Sequence, residues 1–167
     1  GMKRSWEYSP TGLEAGYYIT HIEYHKGRYQ DVVDHGRDLL QKSPVPELVP
    51  EMNRIMGESY YKLGEESVAG QFLEAYLASD QSTPVNSAVY IMGVIDYNQG
   101  NYQRATELFG SLTDLDNEIG QSSYLYLGQC AMRSKDYSSA AIAFEKAYSP
   151  GYDTKVSETA LYNYAVA

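Results

Sequence analysis

Apolar residues recur along the chain at three- and four-residue intervals rather than in alternation, which is the period of helices packed on one side. Breakers divide the pattern. Short turns fall at Leu63-Gly64-Glu65, Gln99-Gly100-Asn101 and Ser134-Lys135-Asp136, where glycine suits the left-handed residue that closes a helix. Longer interruptions fall at Ser43-Pro44-Val45-Pro46, Ser82-Thr83-Pro84, 114–117 and Ser149-Pro150-Gly151. The spacing predicts helices over 11–25, 28–42, 47–62, 65–79, 85–98, 101–113, 119–133, 137–148 and 155–167.

The pattern also repeats. Segments starting at Met56, Met92 and Leu127 each place a long apolar residue before a glycine (Gly57, Gly93, Gly128). Twelve residues later comes an alanine (Ala69, Ala105, Ala140), and four further on a bulky apolar residue (Leu73, Phe109, Phe144). The glycines lie 36 and 35 residues apart. A period of this size marks a stack of supersecondary units, each unable to bury its apolar face alone. Small residues at fixed places mark close helix crossings, so Gly57/Ala69 and Gly93/Ala105 are expected to be crossing points. A degenerate copy precedes these units around Gly27, and a half copy follows from Ala160.

This pattern resembles the tetratricopeptide repeat, over residues 13–167. The fourth unit matches at Tyr124, Leu127, Gly128, Tyr137, Ala140, Phe144 and Ala147; the third at Met92, Gly93, Gly100, Tyr102, Ala105 and Phe109. The second has Met56, Gly57, Tyr60, Gly64 and Ala69, with Tyr76 where a second alanine belongs. The first keeps only Gly27, Tyr29 and Pro44; Thr20, Val32 and Gly36 replace the glycine, alanine and aromatic. The resemblance implies an all-α, right-handed superhelix of four helix pairs and a terminal helix. Its units would span 11–46, 47–84, 85–118, 119–154 and 155–167, after a leader at 1–10 that begins with a tag remnant, Gly1-Met2.

Composition narrows the function. The chain has 13 basic and 22 acidic residues, a net charge of −9, with the excess spread over both halves, so a nucleic-acid partner held on a basic face is excluded. No apolar run is long enough to span a bilayer. One cysteine, Cys130, excludes an internal disulfide and a cysteine-based zinc cluster. No nucleophile motif, Walker loop or dinucleotide fingerprint occurs, and the three histidines all fall in the first unit, so neither catalysis nor a cofactor is expected. His21 and His25 share a helix face at i, i+4, but no third metal ligand accompanies them. His35 and Asp96 are expected to face solvent, and Cys130 to be a small buried residue.

Tyrosine supplies 18 of the aromatic residues, against 3 phenylalanines and 1 tryptophan. Tyr29, Tyr102 and Tyr137 are expected in the core. In the family that the sequence resembles, the first helix of each pair lines a concave groove. Carried over residue by residue, the lining is Tyr17, His21, Tyr24 and His25; Arg54, Glu58, Tyr61 and Lys62; Tyr90, Val94, Tyr97 and Asn98; Leu125, Gln129, Met132 and Arg133; and Tyr162. Tyrosine offers a large ring with a polar tip at low entropic cost, which suits a binding surface. The reading is a scaffold that takes a protein, either as a peptide or as a partner helix; carbohydrate capture on the rings and a structural spacer are the alternatives. Tyrosine- and serine-rich arrays of this type resemble bacterial envelope proteins, which implies an extracytoplasmic setting. The last helix ends without a stop signal, so the chain reads as part of a longer protein, with Leu161, Tyr164 and Val166 open to self-association.

Overall fold

The computed structural model describes residues 10–42, 45–80, 83–148 and 154–166. Gly1-Met2, Pro44, Ser82, Pro150 and Ala167 lie outside the described residues. The chain divides into two compact units, residues 1–82 and 83–167.

The first unit holds α1 (Pro10–His25), α2 (Tyr29–Lys42), α3 (Val49–Lys62) and α4 (Glu66–Ala78). The second holds α5 (Asn86–Asn98), α6 (Tyr102–Gly110), α7 (Glu118–Arg133), α8 (Tyr137–Tyr148) and α9 (Thr154–Val166). The described residues contain no strand. Within each unit every helix packs on the next, and the odd-numbered helices also touch one another: α1 on α3, α5 on α7, α7 on α9. That is the stacking of helix pairs expected from the period, and the fold is an all-α solenoid.

The turns inside the pairs are built alike. After α3 the amide of Gly64 donates to Tyr61 O and that of Glu65 to Tyr60 O, the double bond of a Schellman cap. The same two bonds recur at Gly27-Arg28, Gly100-Asn101 and Lys135-Asp136. Gly27, Gly64 and Gly100 have φ of 74°, 83° and 83°. Lys135 takes the same place at φ 61°, with a side chain that disfavours it.

The repeat residues form the core. Ala69, Leu73, Ala105, Phe109, Ala140 and Phe144 are all fully buried, and Gly57, Gly93 and Gly128 are buried beside them. At these crossings the nearest approach to each glycine is made by the bulky repeat residue. Each glycine faces the bulky residue sixteen positions on: a Cβ on Gly57 would lie 2.6 Å from Leu73 Cγ, and one on Gly93 2.9 Å from Phe109 Cζ. Gly128 faces Phe144 in the same way. The alanine sits one turn earlier and lets the bulky side chain reach across. In the first pair the register differs, because Gly16 faces Leu39 and Gly36 accommodates Met56 and Met52 of α3.

Three expectations are corrected. α6 stops at Gly110 rather than 113, because 111–114 form successive turns, with Leu112 N bonded to Phe109 O. Tyr137, placed in the core by sequence, is 49% exposed at the start of α8. Asp96 is buried, not turned outward; Asn101 Nδ2 donates to it at 3.2 Å and Arg104 Nε stands 3.6 Å away.

Candidate functional site

Two clusters involve the odd-numbered helices. In the first unit, Arg54 on α3 is nearly buried and held on three sides. It donates to both oxygens of Glu51, at 2.9 and 2.6 Å, and to Glu58 one turn along. Its guanidinium lies 5.5 Å from the Tyr24 ring of α1. Burial works against the Arg54 charge, but the two carboxylates outweigh it and raise its pKa. Burial likewise opposes the Glu51 charge, and Arg54 with His21 outweighs it, so Glu51 stays below the usual carboxylate range. Burial, with Glu58 beside it, pushes the Tyr24 phenol up. His21 Nε2 stands 3.2 Å from Glu51, and its ring lies 4.6 Å from that of His25.

The second unit is aromatic. Tyr126 of α7 stacks on Phe109 at 4.7 Å and meets Tyr97 and Tyr90 of α5 edge-on, at 5.3 and 6.1 Å. Tyr97 also meets Tyr102 at 5.5 Å, and Arg133 lies over the Tyr102 ring. The Tyr97 hydroxyl bonds Arg133 and raises the guanidinium pKa further. The Tyr90 hydroxyl bonds Ser122 at 2.7 Å. Beside this cluster a cleft of about 220 Å³ runs across α5, α7 and α9. Leu125, Tyr126 and Val156 give it apolar walls; Ser122, Gln129, Thr159 and Lys155 give it polar ones. Below it, buried Gln121 donates to Ala147 O and to Ser157 Oγ, both at 2.8 Å, which ties α7 to α8 and α9.

Comparison with known proteins adds a family match within the second unit. Residues 92–153 match the model of the tetratricopeptide repeat. Two crystal structures of MamA share the fold. One is 20% identical, with a TM-score of 0.62, over 88% of this chain and 91% of that one. The other is 17% identical, with a TM-score of 0.65, over 92% and 88%. No curated protein matches the chain. Residues 92–153 thus carry tetratricopeptide repeats, in a chain whose fold both MamA structures share. The helices pack as consecutive pairs whose first members are α1, α3, α5 and α7, with α9 following them, and both clusters lie on these odd-numbered helices.

The structure places the residues chosen from sequence as follows. His21, Tyr24, Arg54 and Glu58 come together, with His25 beside them, but Arg54 and Glu58 are largely spent on each other. Tyr17 is buried, and its hydroxyl accepts from Val45 N at 3.4 Å. Tyr61 is half-buried and Lys62 exposed at the end of α3. Tyr90 and Gln129 line the cleft; Tyr97 and Arg133 are joined beside it. Val94 is buried, Asn98 is exposed, and Tyr162 is 69% exposed on α9. Tyr90 and Tyr97 are therefore not open rings, because Tyr126 packs against both.

Sequence reasoning missed Tyr126, although a signal was there. It stands two residues before Gly128, as Ile55 and Ile91 stand before Gly57 and Gly93, and both isoleucines are buried. Ser122, Lys155, Val156 and Thr159 were also missed, since the cleft depends on how α9 lies against α7. Among the described residues, no three His, Cys, Asp or Glu side chains are grouped to hold a metal ion, and no helix is long and apolar enough to cross a membrane.

Proposed function

We propose that the chain is a protein-interaction scaffold and that the cleft across α5, α7 and α9 takes an extended peptide from its partner. The observation that carries this is the chemistry of the cleft. Apolar walls at Leu125, Tyr126 and Val156 stand beside the hydroxyls of Ser122 and Thr159 and the amide of Gln129. Such a mixture can bury one apolar side chain while donors and acceptors meet the peptide backbone. Tetratricopeptide repeats present first helices side by side, and this cleft is shared by three of them. The Arg54 cluster of the first unit supports the reading less, because its charges already satisfy one another.

The test is a displayed peptide library selected on the full chain. Selected peptides should bind Gln129→Ala/Lys155→Ala at least about tenfold more weakly, a loss of about 1.4 kcal/mol. Equal affinity for the variant, or selection of no peptide, would remove the cleft from consideration.

A further inference from the structure

On the other side of α7 the repeat has lost two rings. Three and fifteen residues after the repeat glycine Gly57 stand Tyr60 and Phe72, whose rings stack at 5.5 Å with 19° between planes. The equivalent positions after Gly128 are Ala131 and Ala143. Where the first unit has that stack, the second has a crevice of about 420 Å³ between α6 and α8, over α7. Leu127 and the buried Cys130 lie among its walls, and Ile142 is 56% exposed there.

We propose that this crevice is a second binding site, which takes an aromatic side chain of a partner protein flanked by an acidic residue. The aromatic part follows from the chain's own repeat, where the same two positions accommodate stacked rings. The acidic part follows from the charges around the crevice. Lys146 lies over the Tyr124 ring, its ammonium 5.5 Å from the centroid, beside the opening. The carboxylate of Asp136 instead accepts from the Ser139 amide and from the hydroxyls of Ser138 and Ser139. Asp136 is thereby held at the α8 N-terminus, and Lys146 is the cation bordering the crevice that an acidic neighbour of the ring would meet. A buried aromatic anchor with a charged neighbour is a common energetic centre of an interface.

The probes are a short capped peptide with one phenylalanine between two glutamates, the same peptide with alanine for phenylalanine, and one with lysines for the glutamates. Binding is read from the Ile142 methyl resonance of the full chain and from the rate at which a thiol reagent reaches Cys130. The phenylalanine–glutamate peptide should shift Ile142 and slow Cys130 modification; the alanine peptide should do neither, and the lysine peptide should bind at least about tenfold more weakly. Ala131→Tyr with Ala143→Phe should raise the melting temperature and abolish the Ile142 shift. If that pair does not fold, Ile142→Glu, an exposed change, should abolish the slowing at Cys130 instead. Equal response to the phenylalanine and alanine peptides would overturn the proposal, as would undiminished binding to either variant. Shifts confined to α5 and α9 would also overturn it, without touching the cleft reading.

Discussion

Gly93→Ala isolates the contact that sets the spacing of the helix pair. The new methyl would lie 2.9–3.1 Å from three ring carbons of Phe109, where carbon atoms ordinarily rest about 3.5–4.0 Å apart. The ring cannot swing away freely, because Phe109 is fully buried, stacked on Tyr126 and edge-on to Tyr90. Overpacking of this kind costs about 1–3 kcal/mol. Against it stands the gain of replacing glycine by alanine inside a helix, about 1 kcal/mol. The net loss is about 0–2 kcal/mol, so the informative quantity is a difference. Gly110→Ala supplies the reference, since a Cβ there meets nothing within 4 Å. Urea unfolding of both variants should place Gly93→Ala about 1–3 kcal/mol below Gly110→Ala. Repeating Gly93→Ala in a Phe109→Ala background should make it neutral or stabilising, a coupling of at least about 0.5 kcal/mol. If Gly93→Ala matched Gly110→Ala, or if the Phe109 background left its cost unchanged, the glycine would not be the crossing point.

Lys135→Gly should stabilise the chain by about 1 kcal/mol in urea unfolding, because it relieves a left-handed residue where the other three pairs use glycine. Glu58→Gln should cost about 3 kcal/mol by leaving the buried Arg54 with one carboxylate, and a loss below about 1 kcal/mol would mean that the pair is solvated. Glu51 has a depressed pKa in the folded state, so its contribution is present above the unfolded carboxylate range and is lost as pH falls through the folded value. Glu51→Gln should therefore flatten stability against pH in the acid range. Tyr126→Ala should cost roughly 3 kcal/mol, since it removes a ring packed against Phe109, Tyr90 and Tyr97, and a change within ±0.5 kcal/mol would place that ring in solvent.

What the sequence made legible was what repeats. Gly27, Gly64 and Gly100 mark helix ends because their backbone conformation admits few other residues, and the period then locates Lys135 at the fourth end without a glycine. Burial of Ala69, Ala105 and Ala140 follows from the same spacing. What was not legible depends on side chains that do not repeat. Asp96 sits inside because Asn101 and Arg104 happen to face it, although the equivalent positions hold Tyr60 and Ala131. Arg54 and Glu58 look like open groove residues until Tyr24 of another helix closes over them. The tyrosines on α5 were read as a surface, yet Tyr126, placed by the repeat in the interior register, turns them into a cluster and moves the opening toward α9.

The central claim is that the first helices α5, α7 and α9 together form the peptide site. Backbone amide shifts of the full chain, recorded while a library-selected peptide is added, test it most directly. The account predicts that the largest changes fall at Ser122, Gln129, Lys155 and Thr159, with little change at Tyr61 or Lys62. Changes centred on α2 and α4, with the cleft residues unmoved, would contradict it.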